Sequence, residues 1–326
     1  MDDIRTAGVI LAALELTPAE PSDVTAILLR ASDRQVLLRG DGEGCAWSPT
    51  ATSRITPRDV TPLARYLADH MDRGRIEHWT KIIDRGASEG RYRPLAVMDV
   101  DYPSRLRAAW DAPPLLFCSL AETDDPLGAA SGASTMHGGL NARLSLAIVG
   151  SRQTSPQLQE STERVAADLA VAGVGIVSGL AAGIDAAAHR GALAVGGYTV
   201  AVMGTGIDLV FPESNRHLAT EIRRVGTLVS QFAPPAPRTR TSFLRRNHVI
   251  AAMSDASLLM DANERSGSRY EVEQALDYGR PVLAWAPALG HQGWVQELVK
   301  TRGVRLVESA AEVSQYMARS GHEGGA

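Results

Sequence analysis

The 326-residue chain is poor in two chemically versatile residues, with two cysteines, Cys45 and Cys118, and two lysines, Lys81 and Lys300. The cysteines stand far apart and lack metal-ligand spacing. That excludes a disulfide framework and a thiolate metal centre, and a reducing, cytoplasmic setting is expected. The eight histidines are scattered and form no metal constellation. No run of 18 apolar residues occurs, so no transmembrane helix and no membrane partner are expected. The start, Met1-Asp2-Asp3, has no basic segment of the kind that opens a signal peptide. Two phosphate-binding signatures are missing as well. There is no G-x-G-x-x-G turn after a first strand and no Walker A loop, which leaves dinucleotide redox chemistry and P-loop hydrolysis without support. No cofactor is expected.

What remains is an ordinary globular composition with an unusual cation. The chain is 44% hydrophobic and 21% charged, enough to bury a core, and its length suits two domains. Of 33 basic residues, 31 are arginine, and the net charge is −4. Codon usage accounts for arginine replacing lysine. The net charge weighs mildly against a nucleic-acid partner, so the placement of the arginines matters more than their number.

Residues 1–93 read as a small, mostly helical N-terminal domain. Ile4 to Leu16, Asp59 to His70 and Arg75 to Arg85 have helical spacing, whereas Val24–Leu29 and Gln35–Leu38 fit either strand or helix. Residues 121–143 are a flexible insertion rich in Gly, Ala, Ser and Thr. Within residues 94–310, fully apolar runs alternate with helical periods from Ser145 onward. The runs are 146–149, 174–177, 199–203, 227–230, 257–260 and 281–285, and residues 311–326 form a C-terminal helix and tail. Apolar strands alternating with helices give an α/β fold, a doubly wound, mostly parallel Rossmann-like sheet. Ligands of such sheets sit at the carboxyl ends of the strands, near the switch in strand order.

Four strand ends carry glycine or serine-glycine turns: Gly150-Ser151-Arg152, Ser178-Gly179 through Gly183, Gly204-Thr205-Gly206, and Asp261 through Ser266-Gly267-Ser268. Glycine admits close backbone approach, and a following helix adds partial positive charge, so the set reads as a phosphate-binding edge. Any one such turn is also an ordinary tight connection.

Several ordered motifs carry a resemblance. Ala147 through Arg152, Val177 through His189, Val200 through Asp208 with Phe211-Pro212, and Phe243 through Ile250 resemble the DprA/Smf DNA-processing family. Upstream, Asp101 through Leu106 and Pro113 through Leu116 match it too, over roughly residues 94–310 in all. The sequence departs from the pattern at Ala182, Gln231 and His248, and at Arg269-Tyr270-Glu271-Val272 after Ser266-Gly267-Ser268. The resemblance implies a Rossmann-like domain that binds single-stranded DNA, assists loading of the RecA recombinase, protects incoming DNA in transformation, and acts as a homodimer without established enzymatic activity.

Between Ile222 and Ser254 there is no Asp or Glu, yet Arg223, Arg224, Arg238, Arg240, Arg245 and Arg246 lie there. Pro234-Pro235-Ala236-Pro237 keeps part of the window extended, so a loop presenting arginines to phosphates is expected, with Asn247 beside them. Phe243 offers a stacking face for a base, or packs on the core.

Two further features leave alternatives open. Asp185 and His189 share a helix face, as an acid–base dyad or as structural groups. Glu271 closes a Ser268-Arg269-Tyr270-Glu271 capping box. Alternatively, Gly267 through Glu271 is similar to part of the motif of lysine-decarboxylase-like phosphoribohydrolases, which would make Glu271 catalytic on a nucleotide, or the domain a nucleotide sensor.

Overall fold

The computed structural model describes residues 3–16, 19–39, 61–120, 141, 143–264 and 266–323. Cys45, the start of the helix expected from Asp59 and nearly all of the 121–143 insertion lie outside them. The chain divides into two compact units, Met1–Tyr102 with Arg107–Cys118, and Pro103–Leu106 with Ser119–Ala326.

Among the described residues the first unit holds the helices α1 (Asp3–Leu14), α2 (Pro21–Leu29), α3 (Ala31–Arg39), α4 (Thr61–His70) and α5 (Arg73–Ser88), with strand β1 (Tyr92–Ala96) and all but the last residue of β2 (Leu115–Ser119). The two segments open to either structure are the helices α2 and α3. For α2 the decision is local. Glu20 and Asp23 form a reciprocal capping box, and Pro21 occupies the first helical turn. Val24, Ile27 and Leu28 then fall on one face and are fully buried. Tyr92 and Phe117 meet edge to face with ring centroids 5.6 Å apart.

After the one-turn α6 (Ser104–Arg107), the second unit runs β3 (Ser145–Val149), α7 (Pro156–Val171), β4 (Gly175–Ser178), α8 (Ile184–Ala194), β5 (Thr199–Val202), α9 (Arg216–Val225) and β6 (Thr227–Ser230). It continues with α10 (Arg240–Met253), β7 (Ala256–Leu259), α11 (Gly267–Asp277), β8 (Val282–Trp285), α12 (Ala286–Leu289), α13 (Gly293–Arg302), β9 (Arg305–Val307) and α14 (Ala310–Glu323). The strands lie in the order β6-β5-β4-β3-β7-β8-β9, and each of these pairings is parallel. This is the doubly wound Rossmann-like fold expected from the alternating pattern. Leu146, Ile148, Ile176, Leu258 and Leu283 build one core with α7, α8 and α14. The intervening strand residues face the other way, where α10 and α11 pack.

One expectation needs correction. The acid-free window does not present Arg240 and Arg245 on an extended loop. The Thr239 hydroxyl accepts from Ser242 N at 2.9 Å while Ser242 Oγ accepts from Thr239 N at 3.0 Å. This capping box starts α10 at Arg240 and fixes these arginines on a helix.

The Asp185–His189 dyad is also undone by packing. Both residues lie on α8, but the His189 ring is fully buried and its Nδ1 donates to Thr199 Oγ1 at 2.7 Å, while Thr199 donates onward to the Ile176 carbonyl at 2.8 Å. Nε2 is left as a buried acceptor without a partner. Burial, together with the Arg246 charge, lowers the His189 pKa to about 3. The unfolded chain, at the ordinary value near 6.5, therefore binds an extra proton between pH 3 and 6.5. His189 costs nothing above that window and destabilises the fold as pH falls through it, by roughly 2 kcal/mol at pH 5. Urea unfolding across pH 4.5–7.5 should show a shallower acid-side loss of stability for His189→Leu than for the parent chain. Equal slopes would remove His189 as the source.

Candidate nucleic-acid interface

The chain winds outward from β3 through β4 and β5 to β6, then returns to β7 on the opposite side of β3. The switch in strand order therefore falls between β3 and β7, where adjacent βα connections diverge and leave a crevice. A cleft of about 680 Å³ opens there. One wall is the turn after β3, with Gly150, Ser151, Arg152 and Gln153. The second is α10, with Arg240, Phe243, Leu244, Arg246 and Asn247. The third is the start of α11, with Asn263, Ser266, Gly267, Ser268 and Glu271, and Asp185 and Ala181 complete the lining.

Most sequence-selected residues meet in this cleft, but not all. Ser178, Gly179, Gly183, Gly204, Gly206, Arg238 and Arg245 are outside its lining. Ser178 is buried and donates to the Ile148 carbonyl at 2.6 Å. The glycines serve the protein's own backbone. A Cβ on Gly183, whose φ is +77°, would lie 2.3 Å from the Ser151 carbonyl oxygen, and one on Gly206 would lie 2.1 Å from that of Pro234. A Cβ on Gly204 would press into the Phe243 ring at 2.5 Å. Gly267 differs, because only Asn247 Nδ2, 3.9 Å away, comes near its Cβ position. The open glycine of the set thus stands at the N-terminus of α11.

Ser266 is the cap of that helix, its Oγ accepting from Arg269 N at 3.2 Å. This overturns the Ser268–Glu271 capping box. The residue three after the true cap is Arg269, and Ser268 is already helical. Glu271, one turn in, faces inward instead, 3% exposed, with Oε1 lacking a hydrogen-bond partner. Burial pushes its pKa well above the usual carboxylate range; nearby Asp185 adds to the shift and Arg246 opposes it. Asp185 is likewise raised by burial and moderated by Arg246, and it accepts from Ala181 N at 3.3 Å.

Arg246 is the hub of this cluster. It is 4% exposed and donates to the carbonyls of Gly179 and, at 2.9 Å, Val202, and to Asn247 Oδ1 at 3.0 Å. Its guanidinium ties the ends of β4 and β5 to α10. Arg152 is exposed, over the Phe243 ring at 5.1 Å. Arg238 lies over Phe211 at 4.6 Å, and Arg245 over Phe232 at 5.5 Å. Each phenylalanine of the second unit therefore carries an arginine, which is a cation–π arrangement. Arg224 pairs with Glu221 on α9, and His248 bonds both Tyr270 and Tyr278 hydroxyls at 3.0 Å; neither lines the cleft. Gln153 and Leu244 were not singled out as site residues. Leu244 lies inside the Phe243–Ile250 motif, whereas Gln153 carried no signal.

With the geometry set, comparison with known proteins decides the family. A model of the DNA recombination-mediator protein A family matches residues 93–318. The chain belongs to this family. DNA processing protein DprA of Streptococcus pneumoniae is 34% identical over 244 residues, which cover 73% of this chain and 79% of the relative. Protein Smf of Escherichia coli is 39% identical over 177 residues, 53% of this chain and 46% of the relative, so the match spans under half of that protein's length. The X-ray structure of the Streptococcus pneumoniae DprA superposes with a TM-score of 0.67 at 26% identity, covering 94% of this chain and 97% of that one. A structure of DNA processing protein A from Helicobacter pylori, which concerns that protein's single-stranded DNA binding mode, gives 0.58 at 24% identity over 71% of this chain and 98% of that one, a likeness of fold. The family expected from the motifs is the family found, and the chain is a DprA-like DNA-processing protein.

Among the described residues, no helix is long and apolar enough to cross a membrane, and no group of three His, Cys, Asp or Glu side chains is placed to hold a metal ion.

The burial of Arg246 separates its role from that of Arg152. Arg246→Ala should lose roughly 3–5 kcal/mol of stability, because it strands two carbonyl acceptors and two buried carboxyls. Arg152→Ala, on the rim, should stay within about 1 kcal/mol. Equal unfolding midpoints in urea for the two variants would contradict this division.

Proposed function

We propose that this protein binds single-stranded DNA along the carboxyl edge of its sheet as a recombination mediator. The observation that carries this is the conjunction of a cleft at the strand-order switch with exposed arginines at its mouth and an open helix N-terminus inside it. Arg152 and Arg240 stand at the cleft, and Arg238 and Arg245 extend the basic surface along neighbouring loop and helix. A guanidinium stacked on a ring keeps its N–H edge free for phosphate oxygens, and its outer face is a platform for a base. Bases on such platforms contribute about 1–3 kcal/mol each, with little sequence preference. A single strand exposes both its phosphates and its base faces to such a surface; a duplex hides the second. Arg246 supports this surface from beneath. Gly150, Ser151, Asn247, Ser266, Gly267 and Ser268 line its inner part, while Gly179, Gly183, Gly204 and Gly206 let its walls close together.

The family supports a wider role. In it the bound strand is protected and passed to RecA, the protein acts as a cytoplasmic homodimer, and no catalytic step is required.

Anisotropy of a labelled single-stranded oligonucleotide at two salt concentrations tests the reading. Each phosphate contact contributes about 0.7 to the slope of log affinity against log salt. The Arg152→Ala, Arg240→Ala double variant should bind more weakly and lose a slope of roughly 1–1.5. Unchanged affinity and slope, or equal affinity for a duplex of the same length, would sink it.

A further inference from the structure

The cleft contains a group that a phosphate track does not need. Glu271 is a carboxyl at the inner wall of a DNA-binding surface, 97% removed from solvent, with Oε1 unpaired. Buried polar atoms in folded proteins are nearly always paired, and an exception that lines a cleft calls for an explanation, a bound partner among them. Its neighbours are fixed by other duties. Arg246 is spent on the Gly179 and Val202 carbonyls and Asn247, and Asp185 on Ala181 N. Among the described residues, no donor or acceptor closes on Oε1.

On the same helix, one turn earlier, α11 begins. Ser266 caps Arg269 N, so the N–H groups of Gly267 and Ser268 have no partner within the helix and carry the positive end of its dipole. Gly267 is exposed and its Cβ position is open. A phosphate fits such a start, and Arg152 lines the same cleft. Four residues separate Gly267 from Glu271, about 6 Å along the helix axis. That spacing leaves room for a sugar between a phosphate at the helix start and a ring at the carboxyl.

We propose that the inner end of the cleft is a single-nucleotide pocket, in which the N-terminus of α11 and Arg152 hold one phosphate and the Glu271 carboxyl hydrogen-bonds the edge of the attached base. This rests on the strand-binding reading and names what one unit of the strand does. The chemistry of the acid sets its selectivity. A protonated carboxyl offers a donor beside an acceptor. Every nucleobase has a donor beside an acceptor on its pairing edge, so a neutral Glu271 accepts any of the four. An ionised carboxylate would offer acceptors only and repel the phosphate. The burial that favours the protonated form therefore suits a pocket that reads the presence of a base and ignores its identity.

Titration calorimetry with the four deoxynucleoside 5′-monophosphates, and with deoxyribose 5-phosphate as the base-free probe, tests this on the full chain. All four monophosphates should bind within severalfold of one another, and the base-free phosphate about tenfold more weakly, the scale of one or two hydrogen bonds. Glu271→Leu should bring the monophosphates down to the level of deoxyribose 5-phosphate. Glu271→Gln keeps a neutral donor and acceptor and should stay within about threefold of the parent, which separates lost recognition from lost folding. Monophosphate binding unaffected by Glu271→Leu, or equal binding of the base-free phosphate, would overturn the pocket while leaving strand binding intact. Release of free base from a monophosphate would also overturn it, replacing recognition by cleavage. Glu271-dependent monophosphate binding without oligonucleotide binding would uphold the pocket and reject the strand reading.

Discussion

The edge of the sheet depends on one buried cation. Arg246 reaches from α10 to the carbonyls of Gly179 and Val202, at the ends of two neighbouring strands, and feels the charges of Asp185 and Glu271. Carbonyls at strand ends have no further strand to pair with, and buried acceptors left alone are costly. One guanidinium with five donors closes several of them at once. It also sets how near α10 stands to the sheet, and thereby where Phe243, Arg240 and Asn247 face the cleft. A lysine has neither the fork nor the weak hydration needed for that position, so here the arginine-for-lysine bias has a structural consequence whatever its origin.

Glycine at this edge works mainly inside the protein. At Gly183, Gly204 and Gly206 the space a Cβ needs is already taken by a carbonyl or a ring. These glycines are why the turn after β3, the start of α8 and the Phe243 ring can close on one another. The position open to the cleft is left to Gly267 at the helix start. A glycine motif thus covers both positions closed by the chain itself and a position left open, and sequence spacing does not distinguish them.

The parts legible in the sequence were those governed by local pattern. The apolar runs at 146–149, 227–230 and 281–285 are strands because nothing but a sheet buried on both faces accepts them. The Ser155-Pro156 start of α7 is legible for the same kind of reason, a cap and a proline adjacent in sequence. Illegible were the choices made by contacts across the chain. Ser266 and Ser268 both precede plausible helix starts, and which one caps is settled by where the backbone leaves β7. His189 shares a face with Asp185 by periodicity, yet its ring bonds to Thr199 on β5. The window from Ile222 to Ser254 is free of acids in sequence, while in space Asp185 and Glu271 approach Arg246 from α8 and α11.

That last difference bears on where a chain of net charge −4 keeps positive charge at its surface. Several arginines here are locally compensated: Arg75 by Glu15, Arg190 by Glu163, Arg216 by Glu213, Arg224 by Glu221, Arg302 by Asp277. Such exposed pairs add little stability, but they cancel far-field charge within about a Debye length, near 8–10 Å at physiological salt. At and beside the cleft, among the described residues, three arginines are differently partnered. Arg152, Arg238 and Arg245 lie over rings, and rings carry no net charge to cancel theirs. The two carboxyls nearest Arg246 are buried, and burial raises both toward the uncharged form. Aromatic partners, together with acids whose burial disfavours their charged form, leave a positive potential at the sheet edge that the whole-chain charge does not report.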